Sequence, residues 1–421
     1  MLIENGNIGI KGGYIEFVNA VGEDLYSFNA DRVIDGKHRL AMPGLVNAHT
    51  HCAMTLLRNL ANDLALEEWL YNRIFPLEAK LVPEDIYWGT LLGIAEMIRS
   101  GTTAFADMYM HMDMVAQAVT EAGIRANLSR YPVVFSKNGC HEISDDSAGC
   151  FEYYRNWNGS ANERIKVYIE VHSAYLFNEE SLRNASELAE RCNTGIHMHL
   201  LETARERDES ILRYGTDPVQ VCNDCGIFNV PVIAAHCVHL SDRDINILKE
   251  KDVSVAHNPT SNLKLGSGIA RVPMMLEKGI NVSLGTDGTA SNNNLNMFEE
   301  MHIASLIHKG INSNPELINA RQAVKMATVN GAKAIGFGDT VGVIKKGMKA
   351  DIILLNTDKP HFCPMNDPIS AVVYSAQGAD VDTVIVDGNI LMENRELITI
   401  DEELIKHKVR EISKSISSRD A

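Results

Sequence analysis

The sequence predicts an α/β protein: a (β/α)8 barrel carrying a small composite β-sandwich domain formed by the N- and C-terminal segments. Three observations predict it. Eight short apolar stretches of strand character recur between Pro43 and Asp287, separated by longer helical stretches, which is the rhythm of βα repeats around a parallel sheet. Both ends of the chain replace that rhythm with alternating runs broken by Gly and Asn, the pattern of hairpins. The 421 residues exceed an ordinary single domain but suit one barrel of the TIM type plus an attachment.

Residues 1–42 form the first part of the small β domain in this reading. NIGIKGGYIEFV turns at Gly12-Gly13 and RVIDGKHRLAM at Asp35-Gly36, pairs suited to tight hairpin turns. The barrel occupies 43–338, with strands expected at 44–50, 102–108, 125–133, 166–174, 195–201, 231–239, 252–259 and 281–287. Helices are expected over 84–101, closing on Gly101, and over 179–195, closing on Gly195, because glycine accepts the left-handed conformation that ends a helix. A further helical run covers 319–336. Segment 52–83 is too long for a plain connection and is expected to act as a lid or binding loop. Residues 339–421 complete the small domain: VGVIKKGMKADIILLN (341–356) and VDTVIVDGNILMENREL (381–397) alternate around turns at Gly347, Gly388 and Asn389, followed by a C-terminal helix. Neither flanking segment is long enough for its own core, so the two are expected to pair.

Composition narrows the function. With 45% hydrophobic and 22% charged residues the chain is neither disordered nor fibrous. A formal charge of −16, without a basic cluster interleaved with aromatics, argues against nucleic acid as a partner. The stretch MLIENGNIGI lacks a basic n-region and a long apolar h-region, and no apolar run approaches about 18 residues. A cytoplasmic protein with a small-molecule partner and no membrane contact is expected, with homo-oligomerisation left open. The eight cysteines are scattered and read as free thiols; Cys222 and Cys225 form a CxxC without the second pair of a zinc knuckle.

In a (β/α)8 barrel the chemistry sits at the C-terminal ends of the strands. The first strand lies in PGLVNAHTH (43–51), where His49 and His51 are two apart and share a face. The fourth ends with His172, the fifth with His199 and then Glu202, the sixth with His236 and the eighth with Asp287. His49, His51, His199 and Asp287 form a ligand set suited to Zn²⁺ or another divalent first-row metal, with a position left for water. Any one of them alone reads more simply as a hydrogen-bonded core residue; four at the same end of one barrel do not. His197 lies a layer deeper than His199 and is expected to be structural, and His239 is expected to point away from His236. Activated water needs proton carriers beside it. Glu202 could protonate a substrate nitrogen, His236 could orient or deprotonate the water, and Asp287 could pass its proton to the leaving group.

With these residues assembled, the chain resembles the amidohydrolase superfamily. PGLVNAHTH, HMHLLE (197–202), AAHCVHL (234–240), SVAHNPTSNLKLGSG (254–268) and SLGTDGTASNN (283–293) match its motifs in order, and GMKADIILLN (347–356) and VDGNIL (386–391) match its small β domain. The resemblance spans nearly the whole chain. It implies a mononuclear site, because His172 stands where two-metal members place a carboxylated lysine. Within the superfamily the chain is most similar to the 5′-methylthioadenosine/S-adenosylhomocysteine deaminases. That similarity implies metal-dependent hydrolytic deamination of an adenosine-type nucleoside to the inosine analogue and ammonia, with Zn²⁺ first and Fe²⁺ or Mn²⁺ as other metals. It also implies substrate contacts. Glu78, in LEEWLYNRIFPLEAKL (66–81), matches the residue that binds the ribose hydroxyls. Arg130 in NLSRYP and His172 in EVHSAY match substrate contacts, Glu202 would meet the purine, Asp287 would serve as both ligand and substrate contact, and Trp69 would belong to an apolar wall.

There is one departure. Homologues that accept S-adenosylhomocysteine can hold its carboxylate with a second arginine, whereas residues 131–154 offer only Lys137, a point charge rather than a bidentate fork. The 5′ substituent therefore stays open. Two alternatives stand beside this reading: a deaminase or chlorohydrolase acting on a free purine base or s-triazine, and a non-catalytic scaffold, which would ordinarily have lost ligands.

Overall fold

The computed structural model describes residues 2–19, 28–64, 66–136, 139–416 and 418–419; Lys137 lies outside them. β1 (Asn7–Lys11) and β2 (Tyr14–Asn19) form an antiparallel hairpin. Its turn places Gly12 and Gly13 at φ 58° and 82°, where a side chain would be strained. The second expected hairpin does not form among the described residues. A turn exists, with Arg39 N donating to Gly36 O at 3.0 Å, but only β3 (Arg39–Pro43) is a strand, and it pairs instead with a strand more than 300 residues later.

β4 (Leu45–Thr50), β5 (Thr102–Met108) and β6 (Arg125–Arg130) open the barrel. A hairpin of β7 (Val133–Ser136) and β8 (Gly139–Asp145) stands after the third barrel strand. β9 (Ile165–Val171), β10 (Ile196–Leu200), β11 (Val232–His236), β12 (Ser254–His257) and β13 (Asn281–Leu284) complete it. All eight run parallel in the order β4-β5-β6-β9-β10-β11-β12-β13; seven fall inside a predicted stretch, and β9 begins one residue before its own. They are buried almost throughout, as expected of strands covered by helices outside and packed side chains inside. The ladder stops between β13 and β4, and side chains bridge the seam. Asn47 donates to Thr286 Oγ1 at 2.7 Å and accepts from Thr286 N at 2.9 Å, while Asp287 N donates to His49 O at 3.0 Å. The first and last strands are thus locked together where both carry polar residues.

The predicted helices shift where tertiary contacts compete. The helix Pro83–Arg99 gives way to Gly101 at φ 85° as expected. The helix Glu179–Cys192 ends earlier than Gly195, on Asn193 at φ 49°. Gly195 serves another purpose: a Cβ there would stand 2.5 Å from the Pro231 carbonyl and the Tyr168 ring. The run 319–336 is two helices, Ala320–Met326 and Val329–Ala334. Between them the Ala327 carbonyl accepts from Val46 N of β4 at 2.8 Å, so the barrel wall takes an acceptor that a continuous helix would use.

β14 (Ile352–Asn356), β15 (Val381–Val386), β16 (Asn389–Glu393) and β17 (Glu396–Leu397) form an antiparallel sheet whose fifth strand is β3, in the order β17-β16-β15-β14-β3. N- and C-terminal segments therefore share one sheet. The β1–β2 hairpin lays Ile8, Ile10, Ile15 and Val18 against Ala41, Ile352 and Leu354 of that sheet. A buried ion pair ties it to the barrel, Arg125 Nε to Asp351 Oδ2 at 2.9 Å and Arg125 Nη2 to Oδ1 at 3.0 Å. The C-terminal helix Glu402–Ile416 buries Ile405, Ile412 and Ile416 in the main core. Among the described residues, no helix is long and apolar enough to cross a membrane.

Candidate metal centre and substrate cavity

Three strand-end histidines give one ring nitrogen each to a fixed neighbour. His51 Nδ1 lies 2.7 Å from the Met108 carbonyl, His199 Nδ1 2.8 Å from the His172 carbonyl, and His49 Nδ1 2.9 Å from His197 Nε2. A carbonyl can only accept, so for His51 and His199 the proton sits on Nδ1 and the Nε2 lone pair is turned inward. These inward atoms converge. His51 Nε2 is 3.3 Å from His199 Nε2, and Asp287 Oδ1 is 3.2 Å from His51 Nε2 and 3.4 Å from His49 Nε2. Asp287 Oδ2 is held from behind by Ser261 Oγ at 2.6 Å and Ser291 Oγ at 2.7 Å, which leaves Oδ1 for the centre.

This donor set fits a divalent ion. Among the described residues His49 Nε2 is buried without a hydrogen-bond partner, and lone pairs as close as those of His51 and His199 repel unless a cation stands between them. The ligand atoms of His49, His51 and Asp287 lie within 4.8 Å of one another, as do those of His49, His199 and His236. Electrostatics agree. Burial depresses His49 to about 3. Burial also pushes His51 down, but the hydrogen bond and charge of Asp287 outweigh it and hold the imidazole at about 9. Burial would raise Asp287, yet the two histidines keep it ionised, well below the usual carboxylate range. The centre favours positive charge, which a metal supplies in place of the proton. Outer hydrogen bonds of this kind orient metal-binding histidines.

Two further groups border the centre. Glu202 Oε1 accepts from Ser267 Oγ at 3.1 Å, and Oε2 lies 3.8 Å from His236 Nε2. Burial raises the Glu202 pKa above its ordinary value. His236 Nδ1 is 2.8 Å from Asn262 Oδ1; burial opposes its charge, but Glu202 and Asp287 raise its pKa overall. His236 and Asp287 both sit at positive φ, 70° and 63°, a strain that persists where surrounding structure over-determines it.

These side chains open into one cavity, whose apolar wall includes Met54, Trp69, Leu70, Phe75, Met108 and Leu265. Four of these, Met54, Trp69, Leu70 and Phe75, come from segment 52–83, which folds over the barrel mouth through a π-turn. A helical turn Leu66–Trp69 passes into a π-helix Leu70–Ile74 and back into Phe75–Glu78, with Phe75 N donating to Leu70 O. The i→i+5 step widens the turn. It brings Trp69, Leu70, Phe75 and Glu78 to one side, all lining the cavity. Glu78 is buried and accepts from the Tyr109 hydroxyl at 2.6 Å, while burial raises its carboxyl pKa. His172 lines the same cavity as a neutral ring, lowered to about 3 by burial and by the imidazoles beside it.

Arg130 behaves differently from the expectation. It ends β6, but its Nη2 bonds Asp146 Oδ2 at 2.7 Å and the side chain does not line the cavity, whereas its neighbour Tyr131 does. Successive residues of an extended chain point to opposite sides. His197 backs His49 as a structural partner, and His239 bonds the Ser267 carbonyl at 2.7 Å away from the cavity. Ser261, Asn262, Ser267 and Ser291 were not singled out by sequence reasoning, although they stand in the motifs SVAHNPTSNLKLGSG and SLGTDGTASNN. The buried, cavity-lining Glu170 likewise opens the motif EVHSAY, whereas Tyr109 stood in no quoted motif. Cys52, Cys150, Cys192, Cys222, Cys225, Cys237 and Cys363 are free thiols.

Comparison with known proteins places the chain in context. The profile of the Amidohydrolase family matches residues 40–391. The chain is 63% identical over 415 residues, 99% of its length and 95% of the other's, to a 5-methylthioadenosine/S-adenosylhomocysteine deaminase of Acetivibrio thermocellus. It is 47% identical over 423 residues, again 99% and 95% of the two chains, to a 5′-deoxyadenosine deaminase of Methanosarcina acetivorans. Its fold is similar to the crystal structure of an adenosine deaminase from Xanthomonas campestris with bound zinc, at a TM-score of 0.94 and 32% identity over 99% of this chain and 95% of that one.

Proposed function

The chain belongs to the amidohydrolase family, and from that premise we propose that it is an aminohydrolase that deaminates 5′-modified adenosines, such as 5′-methylthioadenosine, S-adenosylhomocysteine or 5′-deoxyadenosine. Water adds to the purine carbon that carries the amine, the C–N bond breaks, and ammonia leaves with the inosine analogue as the other product. His49, His51, His199 and Asp287 would hold one divalent ion, Zn²⁺ in first place. When bound, that ion supplies water activated near neutral pH.

The protein's own groups do the rest. Glu202, whose pKa burial raises, donates its proton to a purine ring nitrogen and so makes the adjacent carbon more electrophilic. His236 Nε2 faces Glu202 and orients the attacking water. Asp287 Oδ1, beside His51 and His49, accepts one water proton and passes it to the departing amine, and the hydroxyl proton of the adduct returns to Glu202 as the C–N bond breaks and the carbonyl forms. Glu78 binds the ribose hydroxyls with Tyr109 fixing its carboxyl, His172 contacts the substrate, and Trp69 forms part of the apolar wall. Arg130 would need to leave Asp146 to contact the substrate. In this reading residues 43–338 are the catalytic unit, and 1–42 with 339–421 form its supporting β domain.

The observation that carries the proposal is that the proton donor Glu202 and the ribose-binding candidate Glu78 open into the same cavity as the histidine-aspartate centre. The net charge of −16 further favours a small molecule over a polyanion. Ammonia release should be measured with adenosine, methylthioadenosine, S-adenosylhomocysteine, 5′-deoxyadenosine, guanine and a triazine, with metal content determined on the same sample. Turnover confined to guanine or the triazine overturns the nucleoside assignment, and inertness toward every amine in metal-loaded protein overturns the activity.

A further inference from the structure

Glu300 lies in the helix Met297–Asn312, which follows the last barrel strand, and it is fully buried. Among the described residues, the donors that reach its carboxylate are neutral: Thr260 N to Oε2 at 3.2 Å and Asn292 Nδ2 to Oε1 at 2.7 Å. A buried carboxylate without a cationic partner is costly to keep. Thr260 directly precedes Ser261 and Asn292 directly follows Ser291, the two serines that donate to Asp287 Oδ2. Asn292 Nδ2 also donates to the Thr286 carbonyl at 2.7 Å, next to Asp287 in the chain. One carboxylate therefore joins the segment after β12 to the segment after β13, on both sides of the serine pair. Capping the short helix Pro259–Lys264 would explain the bond to Thr260 N, but not the second oxygen on Asn292.

We propose that Glu300 is a positioning residue for the metal-binding carboxylate: through Thr260-Ser261 and Asn292-Ser291 it fixes Asp287 Oδ2, so that Oδ1 faces His49 and His51. The proposal rests on Asp287 serving as a metal ligand. It assigns Glu300 no contact with substrate. Its effect reaches the reaction through the geometry and affinity of the metal site.

The test compares wild type, Glu300→Gln and Glu300→Ala by Zn²⁺ affinity in competition with a chromogenic chelator, by the visible spectrum of the Co²⁺-substituted proteins, and by kcat and KM on the best substrate of the panel. Loss of a partner that orients a ligand typically costs about 10–100-fold in metal affinity. Glu300→Ala should show a loss of that size, a shifted Co²⁺ spectrum, and a fall in kcat with KM little changed. Glu300→Gln keeps one acceptor oxygen and should lie between Glu300→Ala and wild type. Native affinity and spectrum in folded variants, even with a lowered Tm, mark a purely structural role and overturn the proposal. If Glu300→Ala does not fold, Glu300→Gln alone decides by the same criterion. Wild-type protein that binds no Zn²⁺ overturns the metal reading and this inference with it, whereas native binding with unchanged variants overturns this inference alone.

Discussion

Tyr109 donates a 2.6 Å hydrogen bond to Glu78 across the wall of the cavity, from the segment after β5 to the end of the π-turn segment. The bond occupies one carboxyl oxygen and aims the other. Replacing Glu78 with Gln exchanges an acceptor for a donor where the proposed function puts the ribose hydroxyls. Removing a buried hydrogen-bond partner costs about 1–3 kcal/mol, so kcat/KM for nucleosides should fall about 10- to 100-fold relative to a free base. Tyr109→Phe should show the smaller part of that loss. Equal losses on adenosine and adenine in steady-state assays would remove Glu78 from the ribose site.

His199→Ala deletes a proposed metal ligand whose ring is aimed by the His172 carbonyl. Metal content and ammonia release should be lost together. A chelator should abolish turnover of the wild type, and Zn²⁺ should restore it. Sustained turnover by fully metal-free protein contradicts the mechanism.

Glu202→Gln retains the shape of the side chain and the contact with Ser267 but cannot transfer a proton. General acid catalysis is worth about 10²–10⁴-fold, and kcat should fall by that order. Because burial raises the Glu202 pKa and a general acid must be protonated to act, the proposed role predicts that kcat/KM of the wild type declines as pH rises through that elevated value. A Gln variant with the same alkaline limb would assign the limb to another group.

Stability should carry the mark of Glu300. Burial raises its pKa from 4.5 to about 8, against smaller opposing hydrogen bonds. The folded state therefore binds more protons than the unfolded state between those values, and unfolding free energy falls as pH rises across that window and levels off above it. Thermal unfolding from pH 5 to 9 should show this slope. In Glu300→Gln the slope should be shallower, and an unchanged slope would mean that Glu300 does not titrate in the folded protein.

Arg125 and Asp351 are each 4% exposed or less and bond through two parallel contacts. Arg125→Ala leaves an uncompensated buried carboxylate and should destabilise by about 3–5 kcal/mol. The double replacement Arg125→Met with Asp351→Leu should cost clearly less, because both charges leave together. Urea unfolding of the single and double variants decides between this and a surface-like pair of negligible effect.

The strands and the strand-end residues were legible in the sequence because both depend on local rules. Period-2 geometry puts His49 and His51 on one face, and the barrel rule gathers His172, His199, Glu202, His236 and Asp287 at one end. Less was legible where a distant partner takes over a backbone group. Ala327 gives its carbonyl to Val46, so a run with a continuous helical pattern breaks. β3 pairs with β14 rather than with its neighbour in sequence. Gly195 is required by the Pro231 carbonyl and the Tyr168 ring rather than by a helix end.

Periodicity and turn chemistry act within a few residues, and they were enough for the eight barrel strands, the flanking β segments and the residue types at the strand ends, but not for the β7–β8 hairpin after the third barrel strand. Tertiary structure decided which atoms meet. The Met108 and His172 carbonyls choose the protonated nitrogens of His51 and His199, the π-turn brings Trp69 and Glu78 to one wall, Asp146 holds Arg130, and Ser261 and Ser291 aim Asp287. Most of these partners lie far apart in the chain, and only closure of the barrel and the fold of its mouth bring their hydrogen-bonding atoms within reach.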